Sequence, residues 1–170
     1  NMSTCALTIN PLDNVPPTIS GCPAPGEQDS VNVNSNCQFL IPNYAIVLSP
    51  LDDCNPSPTV TQLPAAGTTS ATAVNVTVSV SDGSNTTTCT FEAVPRDLLA
   101  PTITCPADRV ETADASCEFV LPDYTTRPEV TASDNCGGTP VRTQSPASTT
   151  IINGTTTVTL FAEDAAGNIG

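Results

Sequence analysis

The sequence predicts an all-β protein of tandem two-sheet sandwiches held by disulfides, and three observations predict it. Short runs of β-branched residues alternate with turn signals, and 27 of the 170 residues are Thr, a side chain whose branching at Cβ suits the pleated strand. Eight Cys accompany only 12% charged residues, the usage of an oxidising compartment in which cross-links supplement a thin core. A cysteine-bearing segment also occurs twice, Cys5 to Pro23 returning as Cys89 to Pro106 at an offset of about 84 residues, which marks a repeat architecture.

The copies continue downstream. Cys37-Gln-Phe-Leu-Ile-Pro-Asn-Tyr44 matches Cys117-Glu-Phe-Val-Leu-Pro-Asp-Tyr124, and Leu51-Asp-Asp-Cys54 matches Ser133-Asp-Asn-Cys136. Residues 1–12 therefore read as the last strand of a preceding or neighbouring-subunit module, 13–96 as a complete module, and 97–170 as a second module lacking its last strand. The two partial pieces add up to about one repeat, as one period of a longer array would. The chain opens on Asn1 with no visible leader, which reads as a processed product or a window on something longer.

Within the modules, Val74-Asn-Val-Thr-Val-Ser-Val80 alternates with period two, as a half-buried strand should. Thr88 to Val94 does the same and places Cys89 among strand residues. Thr149 to Ile152, then Asn153-Gly154, then Thr155 to Phe161 predicts a hairpin on a type I′ turn. No amphipathic helix of useful length occurs. Six or seven short strands in about 84 residues is the size of an immunoglobulin-like β-sandwich. Phe39 and Phe91 supply the aromatic core of one module, Phe119 and Phe161 that of the other. Tyr44 and Tyr124 are expected at a sandwich edge, each hydroxyl on a backbone group, rather than forming a ligand face.

Charge and composition exclude several functions. The 17 Asp and Glu against 4 Lys and Arg give a net charge of −13, which repels nucleic acid and anionic lipid and favours cations. No apolar run approaches the roughly 20 residues of a membrane span, so no membrane insertion is expected from this segment. The absence of His removes the commonest general base and zinc ligand, and no CxxC spacing occurs. Asp52 with Asp82 could be imagined as a carboxylate pair, but no Trp platform supports a glycosidase. An enzyme is not expected.

Four cysteines in the complete module permit three connectivities. The preferred reading pairs Cys22 with Cys37, Cys54 with Cys89 and Cys105 with Cys117. Cys136 and Cys5 are then left over as complementary types, available for an inter-unit disulfide between head-to-tail copies, a contact that propagates into an open filament. The preferred reading is one continuous polypeptide with the missing strand in further sequence, and both readings imply a linear array of sandwiches.

The acidic loops suggest a cation. Asp52 and Asp53 precede Cys54, Asp134 and Asn135 precede Cys136, Asp82 and Asp164 end the penultimate strands, and Asp13 and Asp97 sit in the linkers. Hard oxygen ligands converging from two loops and a linker could bind Ca²⁺; the competing explanation is that Asp and Asn fold Asx turns. Asn75, Asn85 and Asn153, with Asn1, lie in N-glycosylation sequons. Ser30 in Asp-Ser-Val is a candidate for bacterial O-linked sugar.

At Pro17-Thr-Ile-Ser-Gly-Cys22-Pro, Asp134-Asn-Cys136-Gly-Gly, Asn153-Gly-Thr-Thr-Thr-Val158-Thr159 and Glu163-Asp164-Ala-Ala-Gly-Asn168 the chain closely resembles the hyalin repeat family. The first module departs from it at Asp52-Asp-Cys54-Asn-Pro and Asp82-Gly-Ser-Asn85. The resemblance implies immunoglobulin-like modules of extracellular or cell-surface adhesion proteins without characteristic catalysis. The expected role is part of a surface filament or stalk whose partners are neighbouring copies of the repeat and an unknown cell-surface or matrix ligand. The alternative is a spacer or binding module of a larger secreted enzyme or receptor.

Overall fold

The computed structural model describes residues 2–24 and 26–170; Asn1 with its sequon lies outside them. The described chain is almost entirely β, as its β-branched composition dictates, and falls into two compact units. Unit 1 comprises Asn1–Val31 and Phe39–Pro95; unit 2 comprises Asn32–Gln38 and Arg96–Gly170. The loop 32–38, which precedes Phe39 in the first sequence copy, thus clusters with unit 2.

Unit 1 runs β1 (Thr18–Ile19), β2 (Gln28–Asn32), β3 (Phe39–Leu40), the one-turn helix α1 (Tyr44–Val47), β4 (Pro50–Leu51), β5 (Thr59–Leu63), β6 (Thr69–Ser70), β7 (Val74–Ser81) and β8 (Thr86–Arg96). Its main sheet has the order β2-β8-β7-β5, and β1 pairs with β4, β3 with β6. The alternation in β7 buries Val76, Val78 and Val80, and that in β8 buries Cys89, Phe91 and Ala93, so both strands turn apolar faces the same way. Phe39, Ile41, Tyr44 and Leu48 complete the core. The Tyr44 ring meets Phe91 edge-on at 4.7 Å, the geometry that aromatic quadrupoles prefer.

Unit 2 runs β9 (Thr102–Thr104), β10 (Phe119–Val120), β11 (Thr131–Ser133), β12 (Val141–Ser145), β13 (Ile151–Ile152) and β14 (Thr159–Glu163). Three pairings recur at equivalent residues: Thr18 faces Leu51 as Thr102 faces Ser133, Phe39 faces Ser70 as Phe119 faces Ile152, and Val60 faces Val80 as Arg142 faces Ala162. What unit 2 lacks is the counterpart of the β2-β8 pair. Residues 105–118 carry no strand, and β14 pairs along one side with β12 but on the other meets only Ile169 and Gly170.

Two expectations are corrected here. The hairpin at Asn153-Gly154 does not form: β13 pairs with β10 and β14 with β12. Neither Asn153 nor Gly154 takes the positive φ that a type I′ turn requires, so the chain passes between different pairings instead of folding back. Phe161 is not core. The period of two in β14 sends Leu160 and Ala162 inward and leaves Phe161 37% exposed.

Candidate functional site

Three features of the chain carry chemistry: its cysteines, its acidic loops, and an open groove with an unpaired strand edge in unit 2.

The disulfides are Cys22–Cys89 and Cys37–Cys136, and Cys5, Cys54, Cys105 and Cys117 are free and exposed. This replaces the expected pairs Cys22–Cys37, Cys54–Cys89 and Cys105–Cys117, and gives Cys136 a partner other than Cys5. The physical reason lies in two local devices. β8 points Cys89 into the core, where Cys22, three residues beyond the end of β1, reaches it. Cys37 sits at φ 55° in a tight loop in which Asn34 Oδ1 accepts from the N–H of Asn36 and Gln38, and that loop belongs to unit 2, as Cys136 does. Cys117 sits in the same kind of loop at φ 61°, with Asp114 Oδ1 accepting from Ser116 and Glu118.

The acidic residues are first of all turn formers. Asp13 and Asp97 accept from the N–H of Val15 and Leu99, both at 3.0 Å, folding the two linkers alike. Asp52 Oδ2 accepts from Cys54 N–H at 3.0 Å, and Asp134 Oδ2 from Cys136 N–H at 2.8 Å. In unit 1, carboxylate oxygens of Asp13, Asp52 and Asp82 lie within 4.8 Å of one another, and Asp13, Asp53 and Cys54 form a second such set. In unit 2 the set is Asp97, Asp134 and Cys136, with Cys136 already disulfide-bonded; Asp164 is not part of it. Asn135 donates to Asn34 O and Cys136 Sγ rather than offering its amide to the cluster. Oδ1 of Asp52 and of Asp134 is buried without a hydrogen-bond partner. Asp13, then Asp53, burial and Asp52 push the Cys54 thiol up from its ordinary pKa.

Asp82 and Asp164 hold their own loops. Hydrogen bonds from the Asn85 backbone and side chain and from Ser84 N–H keep Asp82 below the usual carboxylate range, outweighing burial. Burial pushes Asp164 upward, but donors on Asn168, Ala166 and Gly167 together hold it low. Gly167 takes φ +86° in that turn, a left-handed conformation open to glycine. Because both carboxyls are depressed on folding, their contribution is complete above the ordinary carboxylate range and is lost as pH falls through the depressed values. Thermal melts followed by circular dichroism should hold level from pH 7 to 5 and drop in stronger acid, and Asp82→Asn/Asp164→Asn should flatten that acid decline.

Sequence reasoning missed the amides that tie these loops to the linkers. Asn85 Nδ2 donates to the backbone oxygens of Asp13 and Val15 and to Asp82 Oδ2; Asn168 Nδ2 donates to Asp97 O and Asp164 Oδ2. The recurrence of Asn at the end of both Asp loops was the available signal. It also bears on the sequons, because a glycan on Asn85 Nδ2 would displace those acceptors. Asn75 on β7, Asn153 and Ser30 on β2 are exposed. Tyr44 was expected at a sandwich edge with its hydroxyl on backbone; it is buried in the core, and its hydroxyl donates to the Asp29 carboxylate instead; burial first and then Asp29 push its pKa upward. Gln62 and Gln144 were also missed. Each accepts from the N–H of Tyr44 or Tyr124 and donates to two Pro carbonyls, bracing the Tyr segment.

The groove lies in unit 2, lined by Arg109, Val110 and Glu111 on one stretch and by Thr155, Thr156 and Val158 on another, with Phe119 and Leu121 also lining it. Residues 108–112 precede Asp114 as β2 precedes Asn34, and residues 156–158 correspond to the start of β7. The groove therefore occupies the place that β8 fills in unit 1. No family model and no curated protein matches the chain. Among the described residues, no helix is long and apolar enough to cross a membrane.

Proposed function

We propose that the chain is a structural, adhesive segment of an extracellular or cell-surface array, built of hyalin-repeat-like, immunoglobulin-like sandwiches joined head to tail by strand sharing, and that it is not an enzyme. The observation that carries this reading is the match between the groove and residues 2–12. Those residues have no strand of their own and expose Leu7, Ile9 and Leu12. Cys5, Leu7 and Ile9 alternate as Cys89, Phe91 and Ala93 do on β8. Residues 2–12 of one copy supply to the unit 2 of another the strand that its sheet lacks, with main-chain hydrogen bonds giving affinity and alternate side chains giving register. The two disulfides and the high acidity fit an oxidising, extracellular setting in which net charge limits lateral association.

The test is sedimentation velocity of the chain with and without residues 1–12. Concentration-dependent oligomers of the full chain that vanish on truncation are expected; a monomer at all concentrations would overturn the reading. The calcium reading rests on the two partnerless carboxylate oxygens, Asp52 Oδ1 and Asp134 Oδ1, beside Asp13 and Asp97. Millimolar Ca²⁺ should then raise the melting temperature, since a ligand bound only by the folded state stabilises it, and Asp52→Asn/Asp134→Asn should remove most of the shift. No shift in the unsubstituted chain would leave the aspartates as turn formers only.

A further inference from the structure

We infer that each joint between copies is closed by two disulfides of fixed partners: Cys5 of the incoming copy bonds Cys105, and Cys54 of the incoming copy bonds Cys117. The inference rests on the head-to-tail reading and names its covalent partners. It follows from transferring the two observed bonds by one repeat. Cys22 and Cys89 correspond to Cys105 and Cys5; Cys37 and Cys136 correspond to Cys117 and Cys54. The four cysteines left free among the described residues are those four positions, and the transfer uses each of them once.

Local geometry agrees with the transfer at the second bond. Cys37 N–H donates to Asn34 O at 2.9 Å and Cys117 N–H to Asp114 O at 3.0 Å, and the loops are closed again by Asn34 N–H on Gln38 O and Asp114 N–H on Glu118 O, at 2.7 and 2.8 Å. The partner loops are alike too, Cys54 and Cys136 each donating N–H to the Asp two residues before. Cys117 is thus held as its bonded counterpart is held, with its sulfur exposed. At the first bond, β14 has a free edge opposite Leu160. In unit 1 Val78 faces Cys89, so an incoming strand in that register sets Cys5 opposite Leu160.

Each bond forms by thiol–disulfide exchange with a disulfide oxidant such as a glutathione-type disulfide. One cysteine thiolate displaces a thiol from the oxidant to give a mixed disulfide. The partner thiolate then attacks it, forming the S–S bond and releasing the second thiol. Two protons and two electrons leave the cysteine pair, and one oxidant disulfide becomes two thiols.

The test mixes isotopically heavy and light full chains, oxidises them with glutathione disulfide, and maps peptides by mass spectrometry without reduction. Expected are Cys5–Cys105 and Cys54–Cys117 cross-links of mixed isotope composition, with Cys117→Ser abolishing only the second and Cys5→Ser only the first. Oligomers joined through Cys105–Cys117 or Cys5–Cys54 would overturn the pairing and leave the array standing. A chain that stays monomeric with all four thiols unlinked would overturn both.

Discussion

Replacing Cys89 by Ala is expected to lower the stability of unit 1 by about 2–5 kcal/mol, the usual cost of removing a native disulfide from a small domain. The bond closes a segment with a sequence separation of 67, for which chain entropy alone gives roughly 4 kcal/mol. Cys89 is also 2% exposed between Val78 on the neighbouring strand and the Phe91 side of β8, so its loss leaves a small void on the core face. With a urea slope of about 1–3 kcal/mol/M for a domain of this size, the midpoint should fall by on the order of 2 M. Cys54→Ala is the informative companion, because Cys54 is exposed and unbonded, and an exposed substitution of that kind stays within about 0.5 kcal/mol. The connectivity expected from the sequence, Cys54 with Cys89, would instead make the two variants equally damaging. Equal midpoints for Cys54→Ala and Cys89→Ala in urea would therefore contradict the bond in the structure.

That contrast shows what is legible in the sequence and what is not. Period-two alternation exposes β7 and β8 directly, because a strand with one buried face must place Val76, Val78, Val80, Cys89 and Phe91 on the same side. The repeat is legible for a similar reason, since equal neighbours in sequence make equal turns, as at Asp13 and Asp97 or Asn34 and Asp114. Disulfide partners are not local. Cys37 pairs with Cys136 because the loop 32–38 belongs with unit 2, and nothing in the spacing of Cys22 and Cys37 records that. The failed hairpin at Asn153-Gly154 has the same cause. The dipeptide offers a turn, but β10 and β12 compete for the two strands and win. In the acidic loops the residue types were evident, while the buried Oδ1 atoms of Asp52 and Asp134 and the linker contacts of Asn85 and Asn168 emerge only once the loops are folded.

The second large effect concerns the row Cys5, Leu7, Ile9. Transferring the register of β7 on β8 places Leu7 opposite Val158 and Ile9 opposite Thr156, as Phe91 faces Val76 and Ala93 faces Val74, and Val158 and Thr156 line the groove of unit 2. Leu7 and Ile9 are 81% and 78% exposed in the isolated chain. Burying each is worth about 1.5–3 kcal/mol, so removing both should weaken association by roughly 10²–10⁴-fold. The double variant Leu7→Asp/Ile9→Asp is expected to sediment as a monomer at concentrations where the unsubstituted chain forms oligomers. Thr8→Asp is the control. Thr8 corresponds to Glu92 on the outward face of β8, opposite Asn75, and a strand that shares its backbone but alternates its faces tolerates a carboxylate there. Assembly lost equally in all variants would mean that residues 2–12 act through charge or chain length rather than as an inserted strand. Assembly kept by Thr8→Asp and lost by the double variant fixes both the strand and its register, since a slip of one residue would exchange the two outcomes.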